Sequence, residues 1–369
     1  MVRRWRHNAL CEARFHKLFK LQSFDQTKKG LERMFDSPAA ISDFLGALSC
    51  VDEGARAAAE QRQKILTKPQ GSLGRLEELA IFLAGWHGTQ PRAERVQILL
   101  FAGNHGVTRQ GISPFPAEVT VQMVANFERG GAAINALADT FGLNLSVHPL
   151  SLDNPTADIS VEPAMDEAGA LEAWNAGANA VDSNADIVAF GEMGIGNTTI
   201  AAALCAVSLG GAGIEWAGRG TGLDQAGVQH KAAIVDRALA RHGNGSPVAF
   251  DILRSLGGRE LCAIAGGICA ARRYRIPVLL DGFVVCAAAA PLFAQEPAIL
   301  QHCLAGHCSA EQGHRRLLKT FDLLPLLNLE MRLGEGSGAA VAVAILRAAV
   351  ATHNRMATFE SAGVSERTE

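Results

Sequence analysis

The sequence predicts an α/β fold with a mostly parallel sheet, and three observations support this prediction. Short apolar runs that end in glycine or in a polar loop alternate with segments of helical periodicity. The 38 glycines favour close packing of helices on a sheet and ligand sites lined by backbone. The apolar fraction of 48% supplies a buried core and excludes a disordered, collagen-like or coiled-coil protein. We therefore expect a Rossmann-like sheet with helices on both faces, plus a small helical domain.

The composition also limits the kinds of partner. The net charge of −3, from 34 basic and 37 acidic residues, gives no reason to expect nucleic acid or an anionic membrane as a partner. The eight cysteines form no Cys-x-x-Cys pair and lie mostly in apolar runs, which favours reduced thiols in the cytoplasm. The apolar stretch that begins at Ile276 is interrupted by Asp281, which leaves it too short to cross a membrane. We expect a cytoplasmic protein that handles a small metabolite.

Residues 1–37 form a basic extension. Within residues 1–31, eight lysines and arginines are balanced only by Glu12 and Asp25. Two interpretations fit this composition: an organelle transit peptide, or a non-native or upstream-initiated extension with Met34 as an alternative start. We favour the second interpretation, expect the extension to be disordered or non-native, and assign it no function.

Helical periodicity marks residues 38–87. Apolar residues between 41 and 48 share one helix face, and a second helix follows the break at residues 68–74. This region, together with about residues 320–369, is expected to form the small helical domain. Residues 88–319 are expected to form a large α/β catalytic domain.

Four buried strands are expected in the large domain, because short apolar runs that end at turn signals are typical of parallel strands. Alternation of these runs with helices favours right-handed crossovers within one sheet. The predicted strands are residues 96–102, 145–150, 187–190 and 277–280, and the predicted helices are 118–141, 167–180, 224–242, 258–273 and 283–294.

Residues 191–199 join the third predicted strand to an alanine-rich helix and carry three glycines and consecutive threonines. Backbone N–H groups at a helix N-terminus make such a loop an anion site, although a plain structural turn is the alternative. The loop lacks the lysine of a P-loop and the third glycine of a dinucleotide fingerprint. Glu192 within it would repel a phosphate, which indicates cationic or hydroxyl-rich chemistry nearby.

Three further features have competing interpretations. The glycine- and threonine-rich loop at residues 218–222 precedes a helix with Lys231, which is either a solvated charge or a phosphate ligand. His105 follows a predicted strand end and is either a site residue or a core histidine. The histidines and cysteines within residues 302–314 match no common zinc spacing, so we expect no metal site.

Glu335 is bracketed by Gly334 and Gly336 ahead of a helix rich in alanine and valine. Its neighbours offer little side-chain cover, a setting that suits a carboxylate that meets a ligand through a narrow opening. Partial desolvation would raise the pKa of this carboxylate towards that of a usable base.

Taken in this order, these segments resemble the nicotinate-nucleotide–dimethylbenzimidazole phosphoribosyltransferase family over residues 68–349. Two positions depart from the family pattern: Asn104 where aspartate is frequent, and Gln312 where proline is expected. The resemblance is carried by residues 68–77, 104–107, 113–120, 191–199, 218–222, 306–314 and 333–338.

The resemblance implies transfer of the 5-phosphoribosyl group of nicotinate mononucleotide to 5,6-dimethylbenzimidazole, with inversion at C1′ and release of nicotinate. This is the lower-ligand step of cobalamin biosynthesis. It further implies a homodimer, no cofactor, Glu335 as the general base and Glu192 beside the ribose. The implied substrate-binding residues are Gly194, Gly196, Asn197, Thr198 and Lys231 for the phosphate, with Gly220 and His105 in neighbouring segments, and Ser113, Phe115, Gln122, Met193 and Leu333 for the base.

Two alternatives stay open at this stage. One is another nucleotide-dependent phosphoribosyltransferase or nucleosidase, although the acidic diphosphate motif of ordinary phosphoribosyltransferases is not visible in the sequence. The other is a non-catalytic nucleotide-binding α/β protein, in which replacing Glu335 would change neither ligand binding nor any activity.

Overall fold

A sheet of five parallel strands organises the described part of the chain, residues 33–243 and 245–365 of a computed structural model. The strand order is β2-β1-β3-β4-β5, so the connections diverge between β1 and β3. In doubly wound sheets, ligands bind beyond the carboxyl ends of the strands at such a point. The strands are β1 (Val96–Ala102), β2 (Asn144–Pro149), β3 (Ile187–Met193), β4 (Val278–Leu280) and β5 (Cys303–Ala305).

The alternating side chains of the strands divide the hydrophobic core between the two faces of the sheet. In β1, Leu99 and Phe101 join the first core, and Ile98 and Leu100 join the second. Every residue of β1 is buried, as expected for a strand covered on both faces. The predicted α/β fold with helices on both faces is therefore confirmed.

Helices cover both cores, and most are longer than two turns. The first core receives Pro38–Leu45, Glu167–Ala180, Asn197–Leu209, Gln225–His242, Ala249–Leu256, Arg259–Arg273, Phe283–Gln295 and Gln312–Thr320, and the second receives Arg75–His87, Val119–Glu128, Ala133–Phe141 and Ser337–Arg355. The remaining helical elements are Glu53–Ile65, Gly213–Trp216, Phe359–Ala362 and the 3₁₀ helices Gly106–Gln110 and Pro297–His302. Across residues 33–243 and 245–365, no helix combines the length and the apolar character needed to cross a membrane.

The observed elements differ from the predicted ones in several places: the helices Glu53–Ile65, Ala249–Leu256 and Gln312–Thr320 were not predicted, and two other differences have a clear physical reason. The predicted helix at residues 118–141 is two helices, because Gly130 adopts a φ of 75° and, with Gly131, ends the first of them. The strand β5 has no counterpart in the prediction, since its three residues are too few to show a period.

Residues 33–37, which the sequence assigns to the basic extension, contribute to the core. Phe35 is 2% exposed and packs edge-on against Phe44 and Trp174. Its backbone N–H donates to Asn175 Oδ1 (3.0 Å), and its carbonyl accepts from Asn175 Nδ2 (2.8 Å). The ordered fold therefore includes Phe35, and the rest of the predicted extension, residues 1–32, lies outside the described residues.

The helices near both ends of the described chain pack directly on the sheet. Leu83 of Arg75–His87 and Leu346 of Ser337–Arg355 share the second core with Ile98 of β1. The described residues from 33 onward form one compact unit. The bounds of a small helical domain (38–87 with about 320–369) and a large domain (88–319) stay predictions.

Candidate active site

A cavity lies beyond the carboxyl ends of β3, β4 and β5, at the edge where the strand order predicts a ligand. Residues 192–198, which include the last two residues of β3, and residues 282–284 after β4 form two of its walls. The remaining lining residues are Ile112, Ser113, Arg219, Gly220, Thr221, Leu223, Lys231, His307, Ser309, Glu311, Arg332, Leu333 and Gly334.

One end of the cavity, the anion end, is formed by Gly194–Thr198, Gly220 and Lys231. Gly196 adopts a φ of 96° and caps the helix Asn197–Leu209, so the N-terminus of this helix lies at the cavity wall. Lys231 Nζ donates to Thr198 Oγ1 (3.0 Å) and to the Gly218 carbonyl (3.2 Å). A Cβ at Gly220 would lie 3.1 Å from Thr198 Oγ1 and 3.2 Å from Lys231 Nζ, so a bare backbone is needed there.

The ammonium group of Lys231 is almost completely buried, at 1% exposure. Burial lowers the pKa of Lys231 to about 8, against the opposing effect of the Glu311 carboxylate, which raises it. A lysine in this state is poised to bind an anion, because a second negative charge in the cavity would restore its usual pKa. Of the two interpretations of Lys231, the solvated surface charge is wrong.

An acidic side chain, Glu192, lies directly beside the anion end of the cavity. Glu192 at the end of β3 is 7% exposed and accepts a hydrogen bond from Asn197 Nδ2. Burial raises the pKa of Glu192 well above its ordinary value, and the charges of Asp281, Glu260 and Glu335 raise it further, while the Asn197 hydrogen bond lowers it. This carboxyl is therefore the group most sensitive to a positive charge placed in the cavity.

Glu335 lies immediately after the lining residue Gly334, with its backbone in the left-handed region at a φ of 63°. The residue is 5% exposed, and its Oε2 is buried without a hydrogen-bond partner among the described residues. Burial raises the pKa of Glu335 to about 7; the Ile134 N–H lowers it and the charge of Asp281 raises it. Glu335 itself is not part of the cavity wall.

Asp281, directly after β4, holds the loop that carries Glu335. It accepts hydrogen bonds from the Gly336 N–H (3.2 Å) and the Ala339 N–H (2.8 Å), which caps the helix Ser337–Arg355. His307 Nε2 lies 3.6 Å from Asp281 Oδ1. The loop also rests on β3, where a side chain at Gly191 would collide with the Glu335 carbonyl at 2.5 Å.

Ten of the fourteen site residues predicted from the sequence line the cavity, and four do not. Phe115, at 48% exposure, and Gln122 lie outside the cavity wall on the surface. His105 is buried behind Gly194, and Glu335 directly follows Gly334 in sequence. The predicted residues on the wall are Ser113, Glu192, Met193, Gly194, Gly196, Asn197, Thr198, Gly220, Lys231 and Leu333.

Several lining residues were not singled out from the sequence. Arg219 and Arg332 bring two further positive charges, and Arg332 Nη1 lies 3.4 Å from the Gly220 carbonyl. Ser309 and Glu311 follow β5 in a segment that carries the resemblance but was given no role. Asp281, which holds the Glu335 loop, could have been identified as a candidate site residue from its position directly after a short apolar strand.

The histidine and cysteine side chains of residues 302–314 are mostly core groups. His314 Nε2 lies 3.3 Å from Cys286 Sγ, and burial lowers the pKa of both His302 and His314 to about 3. Among the residues that the structure describes, no group of three or more His, Cys, Asp or Glu side chains is arranged to hold a metal ion.

Comparison with known proteins adds independent observations. A family model described as phosphoribosyltransferase matches residues 48–364. A protein of Novosphingobium aromaticivorans named nicotinate-nucleotide–dimethylbenzimidazole phosphoribosyltransferase is 57% identical over 333 residues, which cover 90% of this chain and 98% of that protein. Its namesake from Ruegeria sp. is 52% identical over 337 residues, with 90% and 100% covered. A crystal structure of CobT from Thermus thermophilus is similar with a TM-score of 0.81 and 40% identity, covering 85% of this chain and 100% of that one.

Proposed function

The chain belongs to the nicotinate-nucleotide–dimethylbenzimidazole phosphoribosyltransferase family, and from this membership we propose a chemical role for each part of its cavity. The protein transfers the 5-phosphoribosyl group of nicotinate mononucleotide to 5,6-dimethylbenzimidazole in cobalamin biosynthesis. The products are α-ribazole 5′-phosphate and nicotinate. The mechanism rests on one observation: burial raises the pKa of the Glu335 carboxyl to about 7, and this residue directly follows Gly334 of the cavity wall in sequence.

Glu335 is the general base of this mechanism. One ring nitrogen of the base attacks C1′, and the bond from C1′ to the nicotinate nitrogen breaks with its electron pair going to the pyridine ring. Attack from the face opposite the leaving group inverts the β-glycoside to the α form. The other ring nitrogen then carries an acidic N–H, and Glu335 takes this proton. A base with a pKa near the working pH contributes about 10²–10⁴-fold to the rate.

Glu192 lies beside the ribose in this proposal and stabilises positive charge at C1′. Burial and its acidic neighbours raise its pKa, whereas a pyridinium ring or an oxocarbenium-like centre lowers the pKa again. Positive charge moves from the pyridinium ring onto C1′ as the glycosidic bond breaks, and an ionised Glu192 beside C1′ therefore favours the transition state over the ground state. Asn197 keeps it oriented by donating a hydrogen bond to Glu192 Oε2.

The anion end binds the 5′-phosphate. The helix N-terminus after Gly196 supplies N–H donors, and Lys231 supplies a positive charge that burial makes costly unless an anion neutralises it. Thr198 and Gly220 lie against the Lys231 ammonium and fix its direction. This arrangement suits a phosphate monoester better than a magnesium-bound diphosphate.

The base binds against Ser113, Met193 and Leu333 at the other end of the wall. Phe115 is 48% exposed and Gln122 also lies on the surface, so neither contributes to the wall within one protomer. We propose a homodimer in which a partner subunit covers this surface and completes the base pocket. Size-exclusion chromatography with light scattering tests the dimer, and a monomeric active enzyme contradicts it.

We also propose a cytoplasmic location. Six of the described cysteines are buried free thiols, a pattern that suits a reducing compartment. Fractionation of cells that produce the protein tests this location, and recovery from an oxidising compartment contradicts it.

The decisive experiment incubates the protein with nicotinate mononucleotide and dimethylbenzimidazole and measures α-ribazole 5′-phosphate by chromatography. The wild-type protein and the matched control Glu172→Gln, which changes an exposed helical carboxylate, are expected to form product at equal rates. Glu335→Gln is expected to bind both substrates but to turn over slowly. Product formation by Glu335→Gln at the wild-type rate contradicts the mechanism, and absence of product with the wild-type protein contradicts the function.

A further inference from the structure

A pair of buried side chains, His105 and Glu260, lies behind the anion end of the cavity and has no part in the proposed chemistry. His105 Nε2 is 2.8 Å from Glu260 Oε1, and both side chains are 0% exposed. The two atoms are in ion-pair contact but are not aligned as a hydrogen bond. His105 Nδ1 and both Glu260 oxygens also have no hydrogen-bond partner among the described residues. Burial of polar atoms is costly unless they interact with one another, and His105 and Glu260 are in contact, so the pair acts as a unit.

Three glycines surround this pair closely, and one of them belongs to the anion end. A Cβ at Gly194 would lie 2.9 Å from His105 Nε2 and 3.4 Å from Glu260 Oε1. A Cβ at Gly103 would lie 2.3 Å from Glu260 Oε2, and one at Gly258 would lie 2.3 Å from His105 Cε1. The backbone of Gly194 therefore rests on the His105–Glu260 pair with no side chain between them.

Other hydrogen bonds also hold the loop above the pair, and one of them runs from the Asn197 N–H to the Gly194 carbonyl (3.1 Å). The Ile195 N–H donates to Thr120 Oγ1 (3.1 Å), and the Gly103 N–H donates to the Met193 carbonyl (3.0 Å). The pair thus supports the loop from behind, at the point where the end of β1 meets the end of β3. A shift of either side chain would displace Gly194 and with it the helix N-terminus at the cavity wall.

We propose that His105 and Glu260 are positioning residues for the phosphate-binding loop and act on the substrate only through Gly194. This inference rests on the proposed function. It gives His105 a role behind the loop in place of direct contact with substrate. Displacement of reacting groups by about 1 Å can cost about 100-fold, so the loss of a rigid support should be measurable.

The direction of the change in nucleotide binding distinguishes a positioning role from a purely electrostatic role. Glu260→Gln removes a negative charge near the phosphate, which by charge alone should tighten the binding of nicotinate mononucleotide. His105→Gln removes the partner of that charge, which by charge alone should weaken it. Positioning predicts that both substitutions weaken binding, because each removes the ion pair that fixes the support.

The experiment measures KM for each substrate and kcat for Glu260→Gln, His105→Gln and the double variant, with Glu172→Gln as the exposed control. Both single variants are expected to raise KM for nicotinate mononucleotide by about 10-fold or more and to leave KM for dimethylbenzimidazole within about twofold of wild type. The double variant should be less impaired than the product of the two single effects, because either substitution alone already removes the contact between the two side chains.

Two results overturn the proposal. One is a fall in KM for the nucleotide in Glu260→Gln, and the other is an equal rise in KM for both substrates. If the single variants do not fold, hydrogen exchange of the unmodified protein decides: nicotinate mononucleotide must protect residues 103–105 together with residues 194–196, and protection of the second segment alone refutes the coupling. A wild-type protein that forms product while these tests fail leaves the function intact and rejects only this inference.

Discussion

The two ends of the cavity are built by different physical means. At the anion end, a helix N-terminus capped by Gly196 lies near the buried Lys231. Two hydrogen bonds hold the Lys231 ammonium group in place. At the base end, Leu333 is 55% exposed, and the loop that carries Glu335 depends on three successive left-handed residues. A phosphate is an invariant charged group that fixed donors can recognise, whereas a flat apolar ring is recognised by surface that excludes water.

The two ends also differ in where they carry backbone strain. Glu335 adopts a backbone conformation that is unfavourable for residues other than glycine, and Asp281 stabilises it through two N–H groups of the following turn. The anion end has its left-handed positions at glycines, such as Gly196 and Gly220. Strain therefore falls on Glu335, the residue that we propose as the general base.

The strongest effect should come from a change that disables the base end and spares the anion end. Glu335→Gln should lower kcat by about 10²–10⁴-fold and change KM for nicotinate mononucleotide little, because the amide keeps the shape but cannot accept the proton. Steady-state kinetics with both substrates measures this. A kcat within about threefold of wild type contradicts the role of Glu335.

The same variant also tests how much the buried, ionised Glu335 carboxyl lowers the stability of the folded protein. Its pKa in the folded protein is raised to about 7, above that of an ordinary glutamate, so its ionisation destabilises the fold as pH rises through this range. Glu335→Gln should therefore have an equal or higher melting temperature than wild type at a pH of about 8, and the difference should shrink at acidic pH. A lower melting temperature under the alkaline condition would indicate a structural role.

The next effect in size should come from the anion end. Lys231→Met should raise KM for nicotinate mononucleotide by about 10–100-fold, since a hydrogen bond to a charged group is worth about 1.5–3 kcal/mol. KM for dimethylbenzimidazole should stay close to wild type. Lys319→Met, on the last turn of the helix Gln312–Thr320 and exposed, is the matched control. An equal rise in both KM values would contradict the separation of the two ends.

The pH dependence also distinguishes the two ends, because the proposed mechanism needs Glu335 without its proton and Lys231 with its proton. Glu335 must be ionised to accept a proton, so kcat should rise with pH through about 7. Lys231 must be charged to hold the phosphate, so KM for the nucleotide should rise above a pH of about 8. The kcat/KM profile should therefore be bell-shaped, and a profile flat across this range contradicts both assignments.

Asp281→Asn tests why kcat is expected to rise with pH near 7. The charge of Asp281 raises the pKa of Glu335, so its removal should move the rise of kcat to lower pH by about one unit or less. The asparagine oxygen can still accept from one of the two N–H groups, which keeps part of the cap. A shift of this rise to higher pH would show that the charge of Asp281 does not act on Glu335.

The weakest effect is expected from the half-exposed wall of the base end. Leu333→Ala should raise KM for dimethylbenzimidazole by only a few-fold, because a side chain that is 55% exposed loses about 1 kcal/mol or less of apolar contact. KM for the nucleotide should not change. An effect as large as that of Lys231→Met would show that the pocket closes much further when the base binds.

Much of the molecule could be predicted from local sequence signals. The strand at residues 96–102 and the helix at 167–180 are observed at the predicted positions, because each shows its own period and ends at a turn signal. The sequence predicts an anion site at Gly194, Gly196 and Thr198 from a helix N-terminus preceded by glycines, and the structure has these residues on the cavity wall.

Other features could not be predicted, because their chemistry arises between segments distant in sequence. Asp281 reads as an interruption of an apolar run, yet it caps a helix that begins more than fifty residues later. In the sequence, Glu260 is a carboxylate in the first turn of a predicted helix. In the structure, it is paired with His105, which follows the end of β1. No spacing rule links such pairs.

Short-range signals in the chain thus specify the α/β fold, the anion-binding loop and the unusual position of Glu335, because glycines, periodicity and turn residues act over a few positions. The burial of Lys231, the interaction of Asp281 with Glu335 and the place of His105 behind Gly194 depend instead on the folded arrangement. These are properties of burial and distance in a low-dielectric interior, and they exist only once the parallel strands bring their carboxyl ends together.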